Sequence, residues 1–170
     1  MANFDKAFNR TMENEGGFVL HKVEGDTGGW TYAGIAENYW PNWEGWSLVK
    51  SGREEETTTM VKTFYKQHFW DKMKGDQIAN DQIAYNIYDF GVNAGIKTSA
   101  KLAQRIAGVS ADGAIGPISL QALNSVNEEE FELKFALAKI SRYAGIVNRK
   151  RSQSKFLLGW INRTLKVLAQ

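Results

Sequence analysis

Three polar residues near the start of the chain have types and spacing suited to acid–base chemistry. Glu15 stands directly before Gly16-Gly17, Asp26 opens the segment DTGGWTYAGI, and Thr31 lies within the same segment. A carboxylic acid paired with a second carboxylate is the usual arrangement for hydrolysing a glycosidic bond. Glu15 would protonate the leaving oxygen, and Asp26 would act as nucleophile, activate a water or stabilise oxocarbenium charge. Thr31 would hold a water or a sugar hydroxyl.

The placement of Glu15 supports this interpretation. Phe4, Phe8 and Met12 recur every four residues behind Asn3, which predicts a helix over about 4–14. A carboxylate at the C-terminal end of a helix opposes the macrodipole, and this negative potential raises its pKa. A general acid needs such a raised pKa. Glu15 is therefore poorly placed for helix stability and well placed for proton donation.

Each of the three residues also has an ordinary structural interpretation. Glutamates are common near helix ends, and Gly is the usual helix stop. Asp26 would bond to its own backbone in a turn, and Thr31 would simply favour a strand. The combination of the three, rather than any one of them, favours catalysis.

The segments FVLHKV and WTYAGI flank a Gly/Asp-rich turn, which predicts a small antiparallel hairpin. Trp30 and Tyr32 flank Thr31 in that hairpin and are candidates for the wall of a sugar-binding cleft, with core packing as an equal alternative. Asn93 is a candidate for hydrogen bonding to an N-acetyl group, although helix termination explains it as well. The rest of the chain carries helical periodicity. The predicted fold class is mainly α, with one small β-hairpin near the N-terminus.

Composition excludes several kinds of site. The chain has no cysteine and two histidines, His21 and His68, so a thiol nucleophile, a disulfide framework or a His-rich metal site is not expected. No metal or cofactor is implied. The N-terminal segment MANFDKAFNR is too polar for a signal peptide, and no run of about 18 apolar residues exists. We therefore expect synthesis in the cytoplasm and no membrane insertion.

Charge is distributed unevenly along the chain. Residues 132–170 carry nine Lys/Arg and one Glu, a formal +8, whereas residues 1–131 carry a formal −6. A basic C-terminal part suggests an extended anionic partner, such as bacterial cell wall or nucleic acid. A solvated helix face is an equally weighted alternative. No recognised motif supports nucleic-acid binding.

Several motifs resemble one family along nearly the whole chain. ENEGGFV followed by DTGGWTYAGI resembles the E-G-G-[YF]-V … D-P-G-G-x-T-x-x-G-I pattern of glycoside hydrolase family 108. FYKQHFWDKM and IYDFGVNAG resemble two further segments of that family. AKLAQRIAGVSADGAIGPISLQALN resembles its C-terminal peptidoglycan-binding segment, and FLLGWINR near the end also fits.

The resemblance implies a lysozyme-like helical fold and N-acetylmuramidase activity on peptidoglycan, as in phage endolysins. It maps Glu15 onto the proposed catalytic acid, Asp26 onto the Asp of D-P-G-G and Thr31 onto its Thr. The proline of that motif is Thr27 here, and the gap from Glu15 is about two residues longer. Glu24 is therefore a rival for the second carboxylate.

The resemblance also implies an organisation and a setting. We expect a catalytic part over 1–95 and a helical, peptidoglycan-binding-like part over 96–170, packed on it as one compact unit. A monomer would act on peptidoglycan glycan strands after release by a holin-type protein or host lysis. Two alternatives stay open: a lytic transglycosylase, and a non-catalytic module for wall binding or secretion.

Overall fold

The computed structural model describes residues 1–14, 16–22 and 29–168. Within these ranges the chain is mainly α-helical with a small antiparallel sheet near its start, which confirms the predicted fold class. The predicted residues Glu15, Glu24 and Asp26 lie outside the described residues. The chain divides into an N-terminal unit, Phe4–Trp70, and a C-terminal unit formed by Met1–Asn3 and the chain from Asp71 onward.

The N-terminal unit opens with helix α1 (Phe4–Asn14), which agrees with the predicted helix. Its apolar stripe of Phe4, Phe8 and Met12 is buried, as the four-residue spacing indicates. Beyond the helix, Gly16 and Gly17 both have positive φ, a conformation that costs glycine little. The Gly17 N–H donates to the Met12 carbonyl at 2.9 Å. The two glycines thus provide the turn in which α1 ends.

Among the described residues, the sheet has three strands in the order β1 (Leu20–Lys22), β2 (Trp30–Tyr32) and β3 (Ile35–Ala36), with both pairs antiparallel. The predicted hairpin is β1–β2. The segment WTYAGI, read from sequence as one strand, in fact turns at Ala33 and Gly34, whose φ values are 47° and 76°. Two positive φ values are typical of a type I′ turn. Alanine seldom adopts this conformation, so the sequence carried no strong signal for the turn.

Two further α-helices lie in the described part of the N-terminal unit. Helix α2 (Trp46–Lys50) is followed by a 3₁₀ turn at Glu54–Thr57, which leads into helix α3 (Thr58–Tyr65). A π-helical turn over Lys66–Trp70 extends α3. Aromatic side chains of α3 and this turn pack against those of α1 in the core of the unit. Phe4 contacts Trp70 at 5.5 Å between ring centroids, and Phe8 contacts Tyr65 at 5.8 Å.

The C-terminal unit is built from five helices in the described part of the chain. They are α4 (Asp81–Ala94), α5 (Ile96–Ile106), α6 (Pro117–Leu123), α7 (Glu128–Arg149) and α8 (Ser154–Leu168). Local signals define their starts. The side chains of Asn80 and Asn127 accept backbone N–H groups at the N-termini of α4 and α7, and Pro117 occupies the first turn of α6. Helices α4, α5 and α7 pack against one another, and α8 packs on α7.

The compact units and the predicted domains divide the chain at different places. Along the sequence, the boundary between the units lies between Trp70 and Asp71, whereas the sequence motifs place a division at residue 95. Helix α4 accounts for the difference, because it packs against α5 and α7 in the C-terminal unit. The functional division into 1–95 and 96–170 stays a prediction.

Candidate functional site

Thr31 occupies the middle of the central strand of the sheet. It pairs with His21 on β1 and with Ala36 on β3, so these three side chains share one face. Thr31 is partly buried and His21 is exposed. This face of the sheet therefore offers a hydroxyl and an imidazole side by side. The catalytic role assigned to Thr31 from sequence stays a prediction.

Trp30 lies on β2 and is 43% exposed. It pairs with Lys22 across the strands, and the Lys22 Nζ lies 5.9 Å from the centre of the indole ring. An ammonium at this distance makes a cation–π contact, which favours one orientation of the ring. Trp30 thus presents an oriented aromatic surface of the kind that sugars stack on, and its binding of sugar stays a prediction.

Tyr32, the second aromatic predicted to line a cleft, is 1% exposed. Its hydroxyl donates to the Glu54 carbonyl at 3.0 Å and accepts from the Thr57 hydroxyl at 3.1 Å. Its ring stacks on Trp43 with centroids 6.3 Å apart. Tyr32 therefore holds the strand that carries Thr31 against the turn preceding α3. Of the two aromatics, Trp30 has the surface that could meet a sugar.

The chain that leads into this strand is also constrained. Gly29, the second glycine of DTGG, has φ 73°, and a Cβ placed there would lie 3.0 Å from the Asn38 side chain. Any larger residue would strain the entry into β2. The third predicted binding residue, Asn93, is exposed near the end of α4, in the C-terminal unit. Its contact with an N-acetyl group stays a prediction.

A cleft of about 630 Å³ lies in the N-terminal unit between the loop before α2 and helix α3 with its π-helical turn. We call it the aromatic cleft. Its lining combines indole, phenol and phenyl rings with amide, hydroxyl, carboxylate and imidazole groups: Tyr39, Trp40, Pro41, Asn42, Trp43, Glu44, Thr59, Met60, Thr63, Phe64, Gln67 and His68. Apolar ring faces beside a few hydrogen-bonding groups are typical of saccharide sites.

The aromatic cleft has a packed wall and an exposed rim. Trp40 meets Phe64 edge to face at 4.9 Å between ring centroids and lies 4.5 Å from the His68 ring. Tyr39 is 66% exposed at the mouth. The loop that supplies Trp40 and Trp43 is the segment WPNWEGW, to which the sequence motifs assign no function. Its signal was three Trp in seven residues, a density that a solvent-facing loop seldom needs.

In the C-terminal unit, the structure gives a role to Asp89, the aspartate of the IYDFGVNAG segment. Asp89 on α4 is 2% exposed and accepts two hydrogen bonds from the Arg163 guanidinium on α8, at 2.9 and 3.4 Å. A bidentate pair of this kind has a strict geometry. The IYDFGVNAG and FLLGWINR motifs are therefore joined by a buried ion pair, which positions α8 against α4.

Lys139 on α7 lies beside this ion pair and is 3% exposed. Its Nζ is 5.8 Å from the Phe90 ring centre and 5.7 Å from that of Phe135. Burial lowers the pKa of Lys139 to about 8, with Asp89 opposing the shift and Arg163 adding to it. The ammonium form is thus held in an apolar setting that disfavours its charge.

This burial predicts a pH-dependent stability. The pKa of Lys139 is about 8 in the folded chain and 10.5 when unperturbed, so the unfolded state binds more protons between those pH values. We expect the free energy of unfolding to rise with pH across this window by about 2–3 kcal/mol relative to Lys139→Met. Urea titrations from pH 7.5 to 10.5 measure the difference. Lys134→Met removes an exposed lysine of the same helix, so its free energy of unfolding should change with pH in the same way as that of the wild type. If the free energy of unfolding of Lys139→Met also changes with pH as that of the wild type does, the pKa of Lys139 is not shifted in the folded chain.

The peptidoglycan-binding-like motif has a structural core at Gln104, which is 1% exposed. Its amide nitrogen donates to Asp112 Oδ1 at 2.7 Å, the Ala114 carbonyl at 3.0 Å and the Ser119 hydroxyl at 3.0 Å. Its amide oxygen accepts the Gly113 N–H at 2.8 Å. Hydrogen bonds to this carboxylate lower the pKa of Asp112. The Gln and Asp of this motif therefore shape the loop between α5 and α6.

Two kinds of feature are absent from residues 1–14, 16–22 and 29–168. No helix in these ranges is both long and apolar enough to cross a membrane. The same ranges contain no cluster of three His, Asp or Glu side chains arranged to hold a metal ion.

Comparison with known proteins gives two family matches. The family model described as Glycosyl hydrolase 108 matches residues 8–95, and the model described as Predicted Peptidoglycan domain matches residues 98–165. No curated protein sequence matches the chain.

A solved structure is similar over most of the chain. The structure titled "Structure of Brucella abortus SagA" shares 27% sequence identity, covers 96% of this chain and 90% of that one, and has a TM-score of 0.77. The family resemblance and the lysozyme-like fold expected from sequence are thereby confirmed. Because its matching model spans more than half of the sequence, this chain belongs to the Glycosyl hydrolase 108 family.

Proposed function

We propose that this glycoside hydrolase is an N-acetylmuramidase, which hydrolyses the β-1,4 bond between N-acetylmuramic acid and N-acetylglucosamine in peptidoglycan. The observation that carries the proposal is the family match over residues 8–95, followed by a peptidoglycan-type domain over 98–165. Within the first match stand the E-G-G and D-T-G-G-W-T segments that supply the acid, the second carboxylate and the threonine.

The proposed reaction assigns one role to each of three side chains. Glu15, which follows α1 in sequence, donates its proton to the glycosidic oxygen as the bond to the anomeric carbon breaks. Asp26, between β1 and β2 in sequence, supplies the negative charge that the oxocarbenium-like transition state requires. Thr31, on the central strand, holds the water whose oxygen ends on the anomeric carbon. The proton that this water loses restores the acid.

Two features of the N-terminal unit support a carbohydrate substrate. The exposed Trp30 indole offers a stacking surface on the same strand, and the aromatic cleft of the N-terminal unit combines ring faces with amides and hydroxyls. Both match the chemistry of sugars, whose rings present C–H faces bordered by hydroxyl groups. Synthesis in the cytoplasm, holin-type release and a monomeric state stay predictions.

The mass of the released fragments tests the reaction. We expect purified peptidoglycan treated with the protein to yield muropeptides with a reducing N-acetylmuramic acid end that has gained one water, because hydrolysis adds water across the bond. Mass spectrometry before and after borohydride reduction detects this end. Anhydro ends would instead identify a lytic transglycosylase. Binding without any released fragment would identify a non-catalytic wall-binding module.

A further inference from the structure

Four cationic side chains surround one cavity in the C-terminal unit. The cavity has a volume of about 320 Å³ and lies between α5 and α7. We call it the basic groove. Its lining residues are Thr98, Lys101, Leu102, Arg105, Ser141, Arg142, Gly145 and Arg149. Part of the positive charge noted in the C-terminal sequence is thus gathered at one concave site.

Helical spacing brings these cations together. Lys101 and Arg105 are four residues apart and share a face of α5, and Arg142 and Arg149 lie on one face of α7, two turns apart. Between the latter two stands Gly145. A Cβ at that position would lie 3.3 Å from a guanidinium nitrogen of Arg149. The absence of a side chain at Gly145 therefore lets the Arg149 guanidinium lie along the helix surface.

The charges of the groove are not neutralised by close carboxylates. In the part of the chain that the structure describes, none of the four cations makes an ion pair within 4 Å. Lys101 does act on Asp112, whose pKa it helps to lower. Like charges gathered around a cavity repel one another, and an anion bound among them relieves that repulsion.

The charge pattern of α7 favours a short anionic ligand over a long one. The helix is 22 residues long, which corresponds to about 33 Å. Its first turn holds Glu128, Glu129 and Glu130, whereas Arg142 and Arg149 lie in its second half. A polyanion running along α7, such as nucleic acid, would meet negative charge at one end. A ligand with one or two carboxylates fits within the groove alone.

We propose that the basic groove binds the carboxylates of peptidoglycan's peptide stems. This inference rests on the proposed function for its choice of ligand, since stem peptides accompany every glycan strand of the wall. Arginine guanidinium groups pair well with carboxylates, and the hydroxyls of Thr98 and Ser141 add hydrogen-bond donors. Leu102 supplies an apolar contact for the aliphatic part of a peptide. The groove thus recognises the peptide and leaves the sugar to the N-terminal unit.

The test measures binding separately from lysis. The full chain is sedimented in the cold with intact sacculi and with sacculi whose stems an amidase has removed, and calorimetry follows binding of the released stem peptides. We expect Arg105→Gln combined with Arg149→Gln to weaken binding to peptide and intact sacculi about tenfold. Arg151→Gln combined with Lys155→Gln removes two exposed charges outside the groove and should leave both unchanged. Wild-type binding should fall as salt rises from about 50 to 300 mM.

A second variant addresses the groove without removing a cation. Ser141→Glu places a carboxylate inside the groove at an exposed helical position, where glutamate is well tolerated. It should compete with the ligand and lower peptide affinity to the same degree. The proposal is overturned if the groove variants bind like the wild type, if stripped sacculi bind as well as intact ones, or if duplex DNA competes better than the peptide.

Lysis assays on the same preparations separate this proposal from the proposed function. Peptide binding that depends on the groove, in a protein that releases no muropeptides, would support the groove and contradict the muramidase. Muropeptide release by a protein whose groove variants bind peptide normally would support the muramidase and contradict the groove.

Discussion

Replacing Glu15 by Gln is expected to lower the rate of muropeptide release by about 10²–10⁴-fold, the usual contribution of a general acid. Glutamine has nearly the same size and shape, but its amide cannot deliver the proton that the leaving oxygen needs. Gly16 and Gly17, which follow Glu15, have positive φ, a conformation that glycine adopts through its own backbone. The folded state should therefore survive. Initial rates of turbidity loss and of reducing-end formation on purified sacculi measure the effect.

The chain offers a matched control two residues earlier. Glu13 is an exposed acid in the last turn of α1, and Glu13→Gln makes the same carboxylate-to-amide change two positions away in sequence. We expect it to keep wild-type activity. Comparison of Asp26→Asn with Glu24→Gln identifies the second carboxylate, and we expect the larger loss for Asp26. If Glu15→Gln were fully active, the proton donor would be another residue.

Replacing Asp89 by Asn is expected to destabilise the C-terminal unit by about 2–4 kcal/mol. Asp89 is almost fully buried and accepts both hydrogen bonds from Arg163, whose side chain is 20% exposed. Removing one charge of a buried pair takes a charged partner away from the other at a site that water reaches poorly. Lys139, which also lies near Asp89, would lose a favourable neighbour as well. For a chain of this length the melting temperature should fall by roughly 6–12 °C.

A double variant separates the ion pair from the space it occupies. Asp89→Leu with Arg163→Met replaces both charges by apolar groups, so neither is left unpaired, and it should be less destabilising than either single change. Urea denaturation followed by far-ultraviolet circular dichroism gives the free energies. Glu129→Gln, an exposed acid in the first turn of α7, serves as the control for loss of one negative charge. An Asp89→Asn variant as stable as this control would show that Arg163 is satisfied without its partner.

The helices could be predicted from sequence because their signals lie in neighbouring residues. The stripe of Phe4, Phe8 and Met12 and the glycines after it define α1 within the residues that form it. Asn127 marks the start of α7 by capping a backbone N–H three residues on. Gly108, with φ 73°, follows the end of α5, where the Val109 N–H donates to the Gln104 carbonyl. Each signal acts over one turn and needs no information about the rest of the fold.

The sheet was predictable in part. Alternation placed Trp30 and Tyr32 on the side opposite Thr31, and the observed register agrees. Alternation could not decide that Tyr32 would be covered by the turn before α3 while Trp30 stayed exposed. Burial of a strand face depends on what packs over it, and here those residues come 22 and 25 positions later. The turn at Ala33-Gly34 was missed because alanine there lacks the usual turn chemistry.

By itself the sequence determined the fold class, the family and the segments that carry the proposed chemistry, since these depend on motifs and short-range periodicity. The tertiary structure alone decided which distant residues meet. Asp89 and Arg163 are 74 positions apart and form one buried pair, and Lys101 and Arg149 line one groove from different helices. Such contacts are selected by the packing of whole helices, whose energy is spread over many residues and leaves no local mark in the sequence.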